Sequence, residues 1–383
     1  MKIRLKKDSL YKCYIFLLVL MYMLEATSWQ DFNNSVFHNV LLLFVIFVAI
    51  LYTSQKKFTL SELIQFFLIN LIGILCFLSS GNTGLFFTML AITLLPDGYL
   101  DKVLRMIYRE EVVLFVGIII VSQAGLLNNY IMMINKGSYV ANARTLGFSH
   151  PNMLAAQATS IVFLYLCINR ENVKKRNIVA ALIMLAIIFY FSQGRTSLLL
   201  GGLAVILIAI KDQRWLNKII LKILPWVYLG VFIILISCMA AYAVLGENAG
   251  IVKVINDSFF NGRIGLAYRS LLAYPITLFG KTVDTSIWNQ WQYYSLDNGQ
   301  VMILLEYGVV GFFAYFWIIQ KTLKKIKDEK EIVFAIVIIV FLIWSMYEGT
   351  MYFIGKNFAL LFLGESNLEG FKVRRKRGSK YDS

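Results

Sequence analysis

Apolar runs of about 20 residues recur along the whole chain, and that feature commits most of it to helices that cross a membrane. The chain is 59% hydrophobic and 15% charged, where soluble domains carry about 45–50% and about 25%. Twelve spans can be laid out, at 10–26, 35–53, 58–79, 83–95, 110–126, 152–169, 177–193, 195–210, 219–243, 298–320, 331–348 and 350–363. The fourth and twelfth are short for a hydrocarbon core about 30 Å thick, so tilt, a break or shielding by neighbours is needed there. No polar linker or Pro/Gly/Ser-rich tract divides the chain. The expectation is therefore an all-α integral membrane protein with one polytopic domain, 1–383. The basic start leads into the first span without a small-residue cleavage site, so that span is expected to stay as an anchor.

The net charge of +15 suggests nucleic acid until the charges are located. With the N-terminus placed in the cytoplasm, 29 of the 37 Lys and Arg fall in segments on that side, and the alternation never slips. The other eight are Lys136, Arg144, Arg195, Lys253, Arg263, Arg269, Lys281 and Lys356. An even number of spans with both termini cytoplasmic follows, and the basic balance reads as topology and contact with anionic membrane lipid rather than nucleic-acid binding. Cys13, Cys76, Cys167 and Cys238 lie scattered in apolar runs, and neither histidine has a partner at metal spacing. Neither a protein-bound metal nor a cofactor is expected.

One stretch departs from the pattern. Residues 244–297 form a long mixed loop on the extracytoplasmic side, with Glu247, Asp257, Arg263, Arg269 and Asp297 among its charges. Basic residues are selected against in outer loops, so Arg144, Arg195, Arg263 and Arg269 need a reason. A guanidinium fork suits phosphate oxygens, and each charge-assisted hydrogen bond contributes about 1.5–3 kcal/mol. Several together could hold a pyrophosphate and neutralise it as a leaving group. The plain alternative is pairing with Glu247, Asp257 or lipid phosphate. Asp297 reads as an N-cap of the tenth span, as a general base acting on a hydroxyl, or as both. His150 is either a base or a hydrogen-bonded residue beside the helix that Pro151 opens. Glu306, about two turns into the tenth span, calls for either an inward Arg partner or a function. Trp288, Trp291, Tyr293 and Tyr294 fit an interfacial belt first and sugar stacking second.

The outer segments, taken in order, resemble a known family. Gly147-Phe148-Ser149-His150-Pro151-Asn152 resembles the Gly-Phe-x-His-Pro-Asn segment of bacterial Wzy-type polysaccharide polymerases. Ser192-Gln193-Gly194-Arg195-Thr196 resembles a turn of the same family. Arg269, followed after ten residues by Gly280, resembles its catalytic-loop pattern, and Asp297-Asn298 followed by Tyr307-Gly308-Val309-Val310-Gly311 resembles the junction after that loop. Two departures stand out. The related O-antigen ligases carry His where this chain has Asp297, and Ala155 stands where a second Arg-ten-Gly pattern from Arg144 would end.

The resemblance, which spans about Arg144 to Phe316, implies a GT-C-like membrane glycosyltransferase of about twelve transmembrane helices. It would join undecaprenyl-pyrophosphate-linked oligosaccharide repeat units, for capsule, exopolysaccharide or O-antigen, on the outer face of the cytoplasmic (inner) membrane, releasing undecaprenyl pyrophosphate without a metal. Asp297, Arg269 and Arg195 would be catalytic, and Arg144, Arg195, Arg263 and Arg269 would bind pyrophosphate. His150, Asn152, Asn298 and Glu306 are further candidates. A flippase and a chain-length regulator are the protein partners to look for. Other readings are an O-antigen ligase and a lipid-linked oligosaccharide flippase or transporter. The latter predicts an internal repeat and buried charges along a path, neither of which is evident beyond Glu306.

Overall fold

A computed structural model describes residues 7–29, 32–135, 140–283, 296–349 and 353–365. The aromatic run Trp288, Trp291, Tyr293 and Tyr294, the loop cation Lys136 and the basic tail from Lys372 to Arg377 lie outside the described residues. The protein is mostly helical, at 76%. Five helical stretches are long and apolar enough to cross a membrane: Val36–Gln55, Leu60–Ser80, Pro151–Ile168, Lys175–Ser192 and Arg214–Leu245. Shorter apolar helices are Gly84–Leu94, Arg195–Ala209 and Ile332–Trp344. The residues group into two compact units.

The first unit comprises Met1–Phe58, Ala91–Ile210 and Leu361–Ser383. Its helices are α1 (Lys7–Glu25), α2 (Val36–Gln55), the end of α4 (Gly84–Leu94), α5 (Leu100–Gln123), α6 (Pro151–Ile168), α7 (Lys175–Ser192) and α8 (Arg195–Ala209). Small residues let α6 sit at the centre: Ala155, Ala156, Ala158, Thr159 and Ser160 are all buried. A Cβ on Gly201 of α8 would lie 3.1 Å from the Thr159 methyl, so that glycine sets how closely α8 can approach α6. The start of α5 has no side-chain cap from Tyr99. Glu365 supplies it, accepting hydrogen bonds from the amides of Gly98 at 2.5 Å and Leu100 at 3.0 Å. Outward, α2 presents Val36, Val40, Leu43, Phe47 and Ile50 at helical spacing, a face that suits hydrocarbon and would be costly in water at about 25 cal/mol per Å².

The second unit comprises Thr59–Leu90 and Lys211–Leu360. It holds α3 (Leu60–Ser80), α9 (Arg214–Ile223), α10 (Val227–Leu245), α11 (Gly250–Lys253), α12 (Arg263–Ala273), α13 (Gly299–Glu306), α14 (Gly308–Glu329) and α15 (Ile332–Trp344). A capping box from Thr59 and Glu62 starts α3, and Gly81 in the left-handed region ends it. Its outward face, with Leu60, Ile64, Phe67, Leu71 and Leu78, is apolar like that of α2. One core cluster joins α10, α12 and α13 through Leu235, Tyr242, Ile264, Ala267, Val301 and Leu305.

Several expectations change. The 244–297 segment is partly helical, through α11, a π-helical turn at Val254–Phe259 and α12. The segment near 130–144, expected as a loop, holds two strands, Ile131–Asn135 paired antiparallel with Val140–Arg144. The fifth helix begins at Leu100 and carries Lys102, Arg105 and Arg109 within it. The tenth span is broken between α13 and α14, where Gly308 has φ +68°. In the described part of the twelfth, bend and turn residues at 353–357 lead into a 3-10 helix, Phe358–Gly364.

Candidate functional site

In the second unit three chain segments meet at Arg263. The residue opens α12 directly after Gly262, whose φ of +82° turns the chain into the helix. A cation at a helix start opposes the macrodipole, so this placement needs compensation. It comes from two carboxylates. The Asp297 Oδ2 lies 3.4 Å from Arg263 Nε, and the Glu348 Oε1 lies 4.0 Å from Arg263 Nη2. Nε–H also donates to the Tyr347 carbonyl at 2.8 Å. The side chains of Arg263 and Glu348 are 11% and 14% exposed, and that of Asp297 is 35% exposed. Asp297 is thus the most exposed member of the cluster.

Capping of α13 falls to Asn298 and not to Asp297. The Asn298 side chain accepts from the Val301 amide at 3.1 Å and donates to the Met346 carbonyl at 3.2 Å. Gly299 N–H donates to the Ser345 carbonyl at 2.8 Å. The start of α13 is therefore laced to the segment following α15. Asn supplies the cap because its amide, one residue later than Asp297, both accepts from the helix and donates to that segment.

Arg269 lies six residues beyond Arg263, about 9 Å along the helix axis and roughly 120° around it. The two therefore sit on different faces. Arg269 Nη2 donates to Glu247 Oε2 at 2.8 Å and to the Tyr242 hydroxyl at 3.3 Å, and Tyr242 in turn donates to Glu247 at 2.7 Å. The Tyr242 hydrogen bond and the Arg269 charge hold the Glu247 carboxyl below its usual range. Arg269 is 38% exposed and Glu247 55% exposed, so this pair is open to an incoming anion.

Glu306 ends α13. Its side chain accepts from a neutral amide, Asn82 Nδ2 at 2.8 Å, rather than from the inward Arg that was one of the two readings of the sequence. Asn82 Oδ1 accepts from the Tyr307 hydroxyl at 2.6 Å. The break that follows is a backbone-to-backbone joint with residues 277–281. Val309 and Val310 amides donate to the Thr277 and Leu278 carbonyls, both at 3.0 Å, and the Lys281 amide donates to Leu305 at 3.1 Å. Gly280 has φ +85°, and a Cβ there would fall 1.9 Å from the Glu306 carbonyl oxygen. Gly280, separated from Arg269 by ten residues, is thus fixed by its contact with the Tyr-Gly-x-x-Gly segment, two motifs that the sequence presented separately.

The remaining candidates belong to the first unit. Arg144 ends the hairpin opposite Ile131, and Arg195 opens α8 after Gln193 in the left-handed region and Gly194. Both are exposed, and among the described residues neither has an ion-pair partner. His150 caps α6, its Nδ1 accepting from the Asn152 amide at 3.1 Å, with Pro151 in the first helical position. The Asn152 contribution is thus a backbone amide. Gly147, at φ +92°, packs on the Ile118 carbonyl, where a Cβ would come within 2.9 Å.

Sequence reasoning missed Glu348 and Tyr347. An acid placed between a tyrosine and a glycine at the close of a wholly apolar helix was the available signal. Among the described residues no three His, Cys, Asp or Glu side chains group as a metal site requires. No protein-family model, curated protein or solved structure matches the chain.

Proposed function

We propose that this chain is a membrane glycosyltransferase that polymerises undecaprenyl-pyrophosphate-linked oligosaccharide repeat units on the outer face of the cytoplasmic membrane. The observation that carries the reading is the joint between Gly280 and the Tyr307-Gly308 break, which unites in space the two glycine motifs of the resemblance and sets them at the far end of α13 from Asp297. The proposed topology has twelve membrane segments in a GT-C-like arrangement, both termini cytoplasmic, and 244–297 outside. The 29-to-8 partition of basic residues supports it.

In this reading the acceptor sugar hydroxyl attacks the anomeric carbon of the donor chain. The carbon–oxygen bond to pyrophosphate breaks, and its electron pair leaves with undecaprenyl pyrophosphate. The hydroxyl proton passes to the Asp297 carboxylate, a positioned transfer of the kind that contributes about 10²–10⁴ in rate. Arg269, half-open and with an exposed counter-ion, meets the pyrophosphate in the second unit. Arg263 turns its Nε to the Tyr347 carbonyl and Asp297 and orients Asp297. Arg144 and Arg195 are exposed on the first unit and are proposed as further anion contacts.

The test is polymerisation by purified protein with a synthetic lipid-linked repeat unit, scored as a ladder of chain lengths. A ladder supports the reading. A single transfer to a non-repeat acceptor would instead indicate a ligase, and transbilayer movement of the lipid-linked unit with no new glycosidic bond would indicate a flippase.

A further inference from the structure

We propose that the first unit binds the isoprenoid chain of a lipid pyrophosphate in a cavity between the C-terminal parts of α1 and α5, with Arg144 beside the rim for the head group. The choice of an isoprenoid rests on the polymerase reading above; the cavity itself does not. It encloses about 730 Å³, within the range of about 300–1,000 Å³ usual for small-ligand sites. Leu24 of α1, Leu114, Gly117 and Val121 of α5, and Leu127 give it hydrocarbon walls. Leu114, Gly117 and Val121 recur at helical spacing, so one stripe of α5 faces it. Glycine inside a helix lowers its stability, yet a Cβ on Gly117 would meet no atom within 4 Å. Close packing against a neighbour therefore does not call for that glycine. What the missing side chain leaves is room.

The polar lining gathers where Thr27 and Ser28 meet Asn128, and its donors are engaged. Thr27 Oγ1 donates to the Leu24 carbonyl at 2.6 Å, Ser28 Oγ to the Asn128 carbonyl at 2.9 Å, and Asn128 Nδ2 to the Tyr130 hydroxyl at 3.0 Å. Water against the apolar walls would lack the polar partners it needs, so the space suits hydrocarbon. Val113 and Leu126 carry the apolar wall out to the exposed surface, where a chain leaving the bilayer can enter. The head group is placed by chain geometry. Tyr130 follows the rim residue Asn128 by two positions, and its carbonyl accepts from the Thr145 amide at 3.1 Å. Arg144, next to Thr145, is exposed and pairs with Ile131 in the strand ladder. An apolar chamber and a guanidinium fork suited to phosphate oxygens thus adjoin, in the order of parts of a phosphate-headed lipid. An isoprenoid pyrophosphate brings one chain per head group, and more charge for the guanidinium, than a two-chain phospholipid does.

The experiment has two arms on the purified full-length protein. In the first, the wild type is photo-crosslinked with undecaprenyl pyrophosphate carrying a diazirine on its chain, and the adducts are mapped by mass spectrometry. Adducts are expected within 24–29 or 113–128, competed by unlabelled undecaprenyl pyrophosphate and not by an equal concentration of phosphatidylglycerol. Adducts confined to other segments, or equal competition by phosphatidylglycerol, overturn the proposal. The second arm measures affinity for undecaprenyl pyrophosphate. Gly117→Phe fills the chamber and is expected to weaken binding about tenfold or more. Gly202→Phe, in α8, where a Cβ likewise meets nothing within 4 Å, is expected to stay within about twofold of the wild type. Arg144→Gln removes a charge-assisted contact and should cost about tenfold, while binding of undecaprenol, the same chain without phosphate, is unchanged. Unchanged affinity in Gly117→Phe, or equal loss from both glycine variants, overturns the proposal, as does equal loss of both lipids from Arg144→Gln. Should Gly117→Phe not fold, the crosslinking arm decides alone. The chain-ladder assay keeps the two readings apart. A wild type that makes no ladder but passes both arms sinks the polymerase and leaves a lipid-carrier site, whereas a ladder with both arms failed removes the site and leaves the polymerase.

Discussion

Gly280 and Gly308 are packed backbone to backbone: a Cβ on Gly308 would lie 2.3 Å from the Gly280 nitrogen, and both residues hold positive φ, at +85° and +68° respectively. Neither position tolerates a side chain, on grounds of space and of conformation together. Gly280→Ala and Gly308→Ala are each expected to cost more than the roughly 1–3 kcal/mol of backbone strain alone, because the overlap is with main chain that cannot swing aside. Gly202→Ala in α8 is the control. Nothing lies within 4 Å of a Cβ there and its φ is ordinary, so it should be neutral or stabilising by about 0.4–1 kcal/mol. Thermal unfolding of detergent-solubilised protein compares the three. A Gly280→Ala midpoint equal to that of Gly202→Ala would remove the joint from the account.

Asp297→Asn separates base from scaffold. Since Asn298 caps α13, the substitution should leave the helix start intact while turnover falls by about 10²–10⁴. Asn298→Ala should do the reverse in kind, costing about 0.5–2 kcal/mol of stability through the lost cap. Chain-ladder rates and melting curves on both variants give the comparison. A near-wild-type ladder from Asp297→Asn would move the search for a base to His150, through His150→Gln.

The Arg269–Glu247 pair gives a prediction with a sign in pH. The Glu247 carboxyl is held below its usual range by the Tyr242 hydrogen bond and by Arg269. The pair's small stabilisation is therefore complete above the ordinary carboxylate range, about pH 4.3, and is lost as pH falls through the lowered value. Glu247→Gln should flatten that part of the acid limb in a plot of thermal midpoint against pH. It should also leave Arg269 without its charged partner and tighten binding of inorganic pyrophosphate to the purified protein, whereas Arg269→Lys, lacking the planar fork, should weaken it. Equal pyrophosphate affinity in all three proteins would detach Arg269 from the anion.

Sidedness can be read with a membrane-impermeant thiol reagent on intact cells. In a background lacking Cys13, Cys76, Cys167 and Cys238, Ser258→Cys is expected to label and Lys57→Cys is expected not to. Both positions are exposed on the protein surface. The opposite pattern would invert the proposed topology.

The helix ends were legible where one residue has one physical meaning. Pro151 at a first helical position and Gly81 at a helix end stand where steric rules put them. Helices inside 244–297 were legible in principle, since Ile264, Ala267 and Leu271 keep helical spacing and face the core of their unit, but the mixed composition around them reads as loop. The cap went to Asn298 because two adjacent residues, both good caps, differ only in where their side chains point. Glu348 was out of reach: 85 positions separate it from Arg263, and no local pattern encodes a meeting over that distance. The break at Gly308 was hidden by apolar residues on both sides, which make 298–320 look like one span.

Helix α13 has no loose end. Its first turn is tied through Asn298 and Gly299 to residues 345–346, and its last turn is tied through Leu305 and Glu306 to residues 280–281. Over eight residues it spans about 12 Å, and the proposed base precedes it by two residues. Such a piece behaves as a strut: push one anchorage and the other moves. Substitutions at Gly280 would then surface in an activity screen as chemical defects although no reacting atom is near them. The ten-residue interval from Arg269 to Gly280 is, on this view, a rule of length. It sets how much chain is needed to bring a guanidinium to one end of the strut while bolting down the other.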